Sequence, residues 1–426
     1  ARVFGYGEVG LRSLSALAGV LVVPITFGAA TKLVSARAGV IAAALAACNP
    51  LLIWYSQEAR SYELLVLFSA LSLLAFAHVL DRPSPRAATA WVLAAALALA
   101  THYYAILVVV PEAAWLLIVH RRWRAVQVAV AVVALCGLAL IPLALSQQRT
   151  GRTNWIAHAS LARRVGQIAP QFVIGFGSPA YAVLEPLALA LAGVGVVLLV
   201  LRADRFERGG ALLAGGLAIA GLVISLLLVA GGVDDLLTRN VLALWIPAAI
   251  AVAGGFSAAR ARLAGGAAAL ALCAIGVVAA IGVARERDLQ RPDWRPVARL
   301  LGVHPPSGER LILIQHYRDL LPLSLYLPQL KFLRTAGARV AELDVVSFSS
   351  PRSAGFCWWG SACNLWPSQM QASYTIPGFR AASRRSVNQF TILRLMAKRP
   401  VFLSANAVAH SVHTTHFAND ELLIQR

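Results

Sequence analysis

Charged residues are scarce in this chain, and carboxylates are the scarcest of them. Only 13% of its 426 residues are Asp, Glu, Lys or Arg, and 19 are acidic. Soluble domains carry about 25% charged residues, so an ordinary soluble fold is excluded. Hydrophobic residues make up 59% of the chain, and its mean hydropathy is +0.70. The composition therefore indicates a membrane protein with some extramembrane mass.

The sequence also lacks a basic helix and a basic patch interleaved with aromatic residues, although its formal net charge is +19. Its Lys and Arg residues are scattered over short loops between apolar runs. That pattern is typical of topology signals and of contact with anionic lipid. We therefore predict no nucleic-acid partner.

Cysteines are few, five in all. Cys48, Cys136 and Cys273 lie inside apolar runs, where a thiol packs as a small inert hydrophobe. Cys357 and Cys363 lie close together in a polar stretch, and we expect a disulfide between them if that stretch faces an oxidising compartment.

Signals for secretion and for metal binding are weak. The chain opens with the polar stretch ARVFGYGEVGLR, which does not resemble a signal peptide. His410, His413 and His416 have a spacing that drifts around a helix and alternates faces on a strand, so three zinc ligands would not converge without a loop. We predict no metal and no other cofactor.

Long apolar runs are abundant, and a spanning helix needs about 20 such residues. The candidates are residues 13–31, 38–55, 62–80, 87–101, 103–119, 125–145, 183–201, 211–231, 241–259 and 263–284. The fourth and fifth are short and are separated only by the polar kink at Thr101 and His102. The sequence predicts a mainly α, polytopic helical membrane protein of about ten spans.

The positions of basic residues predict the orientation of these spans. Alternate loops carry the clusters Lys32, Arg37, Arg82, Arg86, Arg121, Arg122, Arg124, Arg202, Arg205, Arg208, Arg260 and Arg262. The intervening short loops carry only Arg60 and Arg239. Because basic loops stay in the cytoplasm, we expect the intervening loops and everything after residue 285 to lie outside.

The chain changes character after the last apolar run. We expect residues 1–284 to form a multi-span membrane domain and residues 285–426 a small extracytoplasmic α/β domain. Strands are predicted at residues 311–314, 345–348, 390–395 and 401–403. Within the first domain, the long 146–182 loop, with Arg163 and Arg164 among aromatic residues, is predicted to lie in the membrane interface.

The stretch NPLLIWYSQEARSY, residues 49–62, joins two apolar runs through a short polar loop. Glu58 and Arg60 must therefore lie at the membrane surface. Opposite charges at such a boundary are costly to desolvate and usually bind or react. The alternative is an interfacial salt bridge that holds the hairpin together.

Other unusual polar residues also fall in the outer-facing loops. Glu8 precedes Arg12 by one helical turn, which fits either a shared site or an ion pair. Arg239 fits a phosphate ligand or a snorkelling anchor. His102 and Tyr103 fit an aromatic belt or a contact with phosphate or sugar. Ionisable groups at one interface are the layout of an enzyme acting on lipid headgroups, whereas a transporter places them near the midplane.

Five stretches carry a resemblance to a known family. They are GYGEVGLRSLSALAGVL, NPLLIWYSQEARSYELLVLFSALSLLAF, THYYAILVVVPEAAWLL, TRNVLALWIPAAIAVAG and RPDWRPVARLL, between positions 5 and 301. In this order they resemble the GT-C class of glycosyltransferases that use polyprenyl-phosphate sugars. The likeness is to the family 39 group, akin to protein O-mannosyltransferases and the aminoarabinose transferase of lipid A.

The resemblance implies a multi-pass enzyme of the bacterial inner membrane with its active site at the outer surface. It would move a sugar, expected to be mannose-like, from a polyprenyl-phosphate carrier to a lipid, glycan or protein acceptor with inversion. The family's general base is an Asp in the first outer loop, and position 1 of this chain falls within that loop. Gly5, Glu8 and Arg12 correspond to the loop's end, so either the base lies upstream of residue 1, after a further helix, or the protein has lost it.

The resemblance also assigns roles to residues that are present. A departing phosphate would be stabilised by Arg60 and Arg239, joined by His102. Glu58 would orient Arg60 or hold the acceptor, with Glu8 a lesser catalytic candidate. The predicted substrate-binding residues are Arg60, Tyr62, His102, Tyr103, Arg239, Asn240 and Arg12. Asn240 departs from the family, because many relatives carry Tyr there.

Two rival functions follow from the same observations. A catalytically inactive relative would bind polyprenyl phosphate without turnover. A transporter would need charge at the midplane or inverted repeats, and the sequence shows neither.

Overall fold

The computed structural model describes residues 5, 7–151, 156–157, 159–303, 305, 308–315, 317–348, 376–412 and 420–426. Cys357, Cys363, His413 and His416 lie outside these ranges, and so do the predictions made for them. The chain divides into two compact units. The first is built mainly from Val9–Gly282, and the second comprises Val283–Arg426 with a short piece at residues 6–8.

The first unit is a bundle of apolar helices. Six segments among the described residues are long and apolar enough to cross a membrane. These are α1 (Glu8–Leu33), α4 (Tyr62–Asp81), α7 (Arg124–Gln148), α10 (Tyr181–Arg202), α11 (Arg205–Ala230) and α13 (Arg262–Arg285), the last extended by the 3-10 turn Ala259–Ala261. Their lengths of 20 to 27 residues match the thickness of a bilayer.

The remaining apolar helices are shorter or bent. Helix α2 (Ala36–Cys48) and α3 (Pro50–Ser56) form a pair bent by 60°. Three others have 10–17 residues each, counting the 3-10 turns at their starts: α5 (Pro85–Thr101), α6 (Ile106–Val119) and α12 (Trp245–Phe256). Every predicted span coincides with a helix or with this bent pair, and the predicted fold class, a polytopic helical membrane protein, is confirmed. Of the ten predicted spans, six, or seven with the bent pair, are long and apolar enough among the described residues to cross a membrane.

Exposed hydrophobic side chains mark the surface that meets lipid. On α7, Val128, Leu135 and Leu138 are 61%, 64% and 59% exposed. In water such a surface would be unfavourable, whereas hydrocarbon tails solvate it. Helix contacts inside the bundle instead use small residues: Gly255 lies directly on the Gly195 carbonyl, where any Cβ would collide with the backbone.

Two short helices, α8 (Leu161–Gly166) and α9 (Ile168–Ile174), follow α7. They occupy the loop for which an interfacial segment was predicted. The segment differs from that prediction in one respect. The Arg164 side chain, expected at the membrane interface, is only 2% exposed. It is held inside the protein by an ion pair and does not extend toward lipid headgroups.

The second unit is a six-stranded sheet with helices. Its helices are α14 (Trp294–Leu301), α15 (Leu320–Ser324) and α16 (Ala405–Ser411), and its strands are β1 (Arg310–Ile314), β2 (Leu330–Phe332), β3 (Gly337–Phe348), β4 (Arg380–Val387), β5 (Phe390–Ser404) and β6 (Glu421–Gln425). The strand order is β2-β6-β1-β3-β5-β4, with β1 parallel to β3 and the other pairs antiparallel.

The predicted strands all fall within this sheet, with different bounds. The runs predicted at 390–395 and 401–403 form one strand, β5, because β5 bulges at residues 397–400, opposite Ala341 of β3, and pairs with β3 on both sides of the bulge. Alternate residues of β1 pack on opposite faces of the sheet, Ile312 and Ile314 on one and Leu311 and Leu313 on the other. Burial on both faces explains the continuous apolar pattern of this strand.

A buried ion network lies at the centre of the sheet. Arg310 on β1 is fully buried between Glu342 and Asp344 on β3, at 3.6 and 3.5 Å. It also donates to the carbonyls of Leu301 and Gly302 at the end of α14, where a cation complements the helix dipole. Charges buried this deeply are tolerated only when they are paired and hydrogen-bonded.

Candidate functional site

The helical unit breaks at Asn49, before the polar loop that the sequence singled out. The Asn49 Oδ1 atom accepts hydrogen bonds from the amides of Leu51 and Leu52, at 3.0 and 3.1 Å, and so caps α3. Its Nδ2 donates to the Phe172 carbonyl at 2.7 Å, which also accepts from Trp245 Nε1 at 2.8 Å. One carbonyl of α9 thus links the starts of α3 and α12.

A small apolar cavity lies beside this break. It has a volume of about 90 Å³ and is lined by α2, α9, α10, α12 and α13 together with Asn49. Cys48 and Cys273 are both free and contribute to its wall. The lining suits hydrocarbon.

The loop from α3 to α4 carries the predicted Glu58 and Arg60. Their side chains form an ion pair with Arg60 Nε 3.4 Å from Glu58 Oε1. Arg60 is 48% exposed and Glu58 18% exposed. The Arg60 carbonyl accepts a hydrogen bond from Ser15 on α1 at 3.4 Å, which fixes the loop. The guanidinium keeps an accessible face for an anionic ligand.

Aromatic rings connect this loop with the turn between α5 and α6. The Tyr62 ring lies 5.1 Å from Tyr55 and 5.6 Å from His102, measured between centroids. His102 in turn lies 5.0 Å from Tyr103 and 5.5 Å from Tyr104. The predicted Tyr62, His102 and Tyr103 therefore belong to one cluster.

The loop between α11 and α12 adds charge to the cluster. The Arg239 guanidinium lies close enough to His102 and Tyr103 to influence both. On the same loop, Asp235 lies beside the hydroxyl groups of Tyr103 and Tyr104. A cation, a carboxylate and an imidazole thus meet within a ring of aromatic side chains.

His102 lies in the turn between the two helices, and its ring is neutral at physiological pH. Burial, and secondarily the nearby positive charge of Arg239, lowers the pKa of His102 to about 4. Its Nδ1 atom accepts a hydrogen bond from the Tyr104 amide at 3.3 Å, so the available proton of the neutral ring is on Nε2. His102 can therefore donate one hydrogen bond to a ligand without adding charge.

Asn240 has a bond within its own loop. Its Nδ2 atom donates to the Asp235 carbonyl at 2.6 Å, and the residue is 6% exposed. The bond closes the turn that presents Arg239. A direct contact between Asn240 and substrate remains a prediction.

The two N-terminal candidates lie at the start of α1. Glu8 is grouped with the second unit, where it forms an ion pair with Arg295 and accepts a hydrogen bond from Tyr326. Arg12, one turn further along α1, is exposed. Their predicted roles in binding or catalysis remain predictions.

A buried ion pair that the sequence did not predict supports the loop of Arg239. Arg164 on α8 donates to both carboxylate oxygens of Asp234, at 2.6 and 2.9 Å. It also donates to the carbonyls of Ala159 and Leu236. The sequence shows Asp234 as one of two acids in a short loop, but its partner Arg164 lies 70 residues earlier in the chain.

Two buried glutamates in the helices were not among the predicted site residues. Glu63 is fully buried beside Gly19, and neither of its carboxylate oxygens has a hydrogen-bond partner among the described residues. Glu112 is fully buried and accepts hydrogen bonds from Ser72 and Trp91, at 2.5 and 2.9 Å. Each was visible in the sequence as one acidic residue within or at the end of an apolar run, which is a sign of function in a membrane protein.

Metal-ligating groups do not gather in the described part of the chain. Among the described residues, no three His, Cys, Asp or Glu side chains lie close enough together to bind one metal ion. His410 Nδ1 instead lies 2.7 Å from the Asn406 carbonyl on its own helix.

Fold and site together define a polytopic membrane protein with a charged, aromatic-lined site at one end of its helices. Residues 1–145, about a third of the chain, match the family described as dolichyl-phosphate-mannose-protein mannosyltransferase. The resemblance predicted from the sequence is thereby confirmed for this part. No curated protein matches the chain.

Two solved structures are similar over most of the chain. The arabinofuranosyltransferase AftD from Mycobacteria is 18% identical with a TM-score of 0.43, covering 92% of this chain and 35% of AftD. ArnT from Cupriavidus metallidurans is 14% identical with a TM-score of 0.30, covering 80% of this chain and 83% of ArnT. The chain thus spans about a third of the length of AftD.

Proposed function

We propose that this chain is an inverting membrane glycosyltransferase that moves a sugar from a polyprenyl-phosphate carrier to an acceptor. The observation that carries the proposal is the cluster of Arg239, His102 and Asp235 among tyrosine rings, next to the Glu58 and Arg60 pair. The family match to residues 1–145 supports it.

The leaving group is a lipid phosphate, on which negative charge accumulates as the glycosidic bond breaks. Arg60 and Arg239 offer forked donors that stay charged at every physiological pH. His102 adds a neutral donor. Donors fixed in advance where charge develops favour the transition state more than the ground state, so these three residues lower the barrier to departure.

The carboxylates near the site position other groups. Glu58 holds Arg60 through their ion pair, and Asp235 lies where it can orient the Tyr103 and Tyr104 hydroxyls. The acceptor hydroxyl needs a general base to attack the anomeric carbon. We assign that base to none of the described residues.

The donor and acceptor are proposed by class only. Mannose is the first sugar to test, because the matching family is described by mannose transfer. The exposed apolar faces of the helices suit a polyprenyl chain. We propose a bacterial inner membrane location, with the Arg239 end of the helices and the second unit outside and a lipid, glycan or protein as acceptor.

The test follows the fate of a radiolabelled polyprenyl-phosphate mannose in membranes that contain the chain. Release of polyprenyl phosphate, lost in Arg60→Ala and Arg239→Ala but kept in the exposed Arg82→Ala control, would support the proposal. Donor binding without release would indicate the inactive relative. Neither binding nor release with several sugars would reject the glycosyltransferase and make transport the next function to test.

A further inference from the structure

The second unit has a strongly basic surface that the proposed function does not use. No Asp or Glu occurs between residues 345 and 419, whereas that stretch contains seven Lys and Arg residues. The carboxylates of the neighbouring strand β3, Glu342 and Asp344, are fully buried and paired with arginines. They cannot neutralise cations on the outside of the sheet.

Strand pairing concentrates part of this charge at one point. Glu342 pairs with Met396 and Val340 with Val401, so residues 397–400 lie opposite Ala341 alone. The extra residues bulge from the sheet and carry the exposed cations Lys398 and Arg399. A bulge of this kind re-aims side chains away from the ladder.

Apolar side chains are exposed beside these cations. Phe402 is 56% exposed and Val401 39% exposed. Arg339, also exposed, pairs directly with Phe402, and residues that are directly opposite share one face of the sheet. We name Arg339, Lys398, Arg399, Val401 and Phe402 the basic tip.

We propose that the basic tip docks on the surface of a bilayer that contains anionic phospholipid. Lys and Arg side chains lie at the phosphate level while an aromatic ring enters the headgroup and acyl boundary. A soluble polyanion would match the cations but leave the Phe402 ring in water. The tip also belongs to a chain whose other unit spans a membrane, so a lipid surface is present at high effective concentration.

The experiment uses the whole chain in lipid nanodiscs, with Phe402 replaced by the photo-crosslinking residue p-benzoylphenylalanine. One set of discs contains phosphatidylcholine alone, and the other also contains phosphatidylglycerol. After irradiation, mass spectrometry measures lipid adducts at position 402. Leu321, 70% exposed on α15 of the same unit, is the matched control position.

The expected result is a larger lipid adduct yield at position 402 in the anionic discs, and little dependence on lipid charge at position 321. Each basic residue near an anionic surface contributes about fivefold in affinity. The double variant Lys398→Glu and Arg399→Glu should therefore lose at least about tenfold in yield, whereas Lys398→Arg with Arg399→Lys should keep it. Thermal unfolding checks that each variant folds.

Three results would overturn the proposal. Equal lipid yields in both kinds of disc would remove the role of charge. A lipid yield that stays the same in the Lys398→Glu and Arg399→Glu double variant would show that these two residues do not bind lipid. Adducts to protein, whether to this chain or to a second copy, would show a different occupant of the tip. The proposal does not depend on glycosyltransferase activity.

Discussion

The two ends of the helical unit place their charges differently. At one end of α4, Lys32 lies 2.5 Å from Asp81, whose neighbour Arg82 is 92% exposed. At the other end, Arg164 is 2% exposed and Asp235 9% exposed, close to the His102 cluster. Exposed ion pairs contribute little to stability, whereas buried ones must be held in a fixed geometry.

This difference indicates what each end can do. Charges at the Lys32 end are solvated, as expected for groups that set topology. Charges at the Arg239 end are packed among aromatic rings and supported by a second layer of hydrogen bonds, as binding and catalytic groups are. Matched substitutions at the two ends therefore test whether the second is a functional site.

The largest effect is expected from Arg239→Ala. Loss of a fixed donor to the departing phosphate should reduce sugar transfer about 100-fold or more. Arg239→Lys should recover only part of the loss, because an ammonium lacks the guanidinium fork. Arg82→Ala at the opposite end should change turnover by less than about twofold. Initial rates of polyprenyl-phosphate release measure all three, and equal effects at both ends would refute the comparison.

Arg164→Ala should cause the next largest effect, through stability. Removing one partner of a buried ion pair costs about 3–5 kcal/mol, and the partial exposure of Asp234 reduces this to about 2–3 kcal/mol. The control, Lys32→Ala, breaks the exposed pair and should lower stability much less than Arg164→Ala does.

Thermal unfolding in detergent measures the stability of Arg164→Ala and of Lys32→Ala. A double-mutant cycle with Asp234→Ala then isolates the coupling energy between Arg164 and its partner. A coupling energy no greater than that of Lys32 and Asp81 would show that burial does not distinguish the two ends.

The pH dependence of stability should reveal His102. Its pKa in the folded protein is about 4, below the ordinary value of 6.5. Between these pH values the unfolded chain binds more protons than the folded one, so stability falls as pH drops through that window. The melting temperature of His102→Gln should therefore fall less than that of the wild type over this range. If the melting temperatures of the wild type and of His102→Gln depended on pH in the same way, His102 would not be held neutral in the folded protein.

The smallest effect concerns the bend at Asn49. Asn49→Ala removes the cap of α3 and should cost about 1 kcal/mol, whereas Asn49→Asp keeps the capping oxygen. Helix α3 carries Tyr55 near its C-terminal end, beside Tyr62 of the cluster, so a modest loss of donor affinity should accompany the loss of stability. Melting temperature and donor binding together measure this effect. If Asn49→Ala changed neither the melting temperature nor donor binding, the hydrogen bond from Trp245 alone would be enough to hold the Phe172 carbonyl.

Local patterns in the sequence were enough to predict the spans and the candidate loops. Hydrophobic runs fix helices, and the Glu58 and Arg60 pair was visible as two charges between two such runs. The bend at Asn49 had a local sign, the Asn-Pro pair, which favours a helix start. The two segments of β5 were predicted separately because the exposed Lys398 and Arg399 interrupt the apolar pattern.

Contacts between distant residues could not be predicted in this way. The sequence offered Arg164 as an interfacial residue, because nothing local connects it with Asp234. The approach of Arg239 to His102 depends on how α5, α6, α11 and α12 pack. Such packing follows from complementary shapes along whole helices, which a single sequence does not specify residue by residue.

The central claim, that the Arg239 end binds a polyprenyl phosphate, is most directly tested by equilibrium binding of that lipid to the purified chain. Wild type and Arg82→Ala should bind with the same affinity, and Arg239→Ala should bind at least about tenfold more weakly. Equal binding by all three, or no binding by the wild type, would contradict the account.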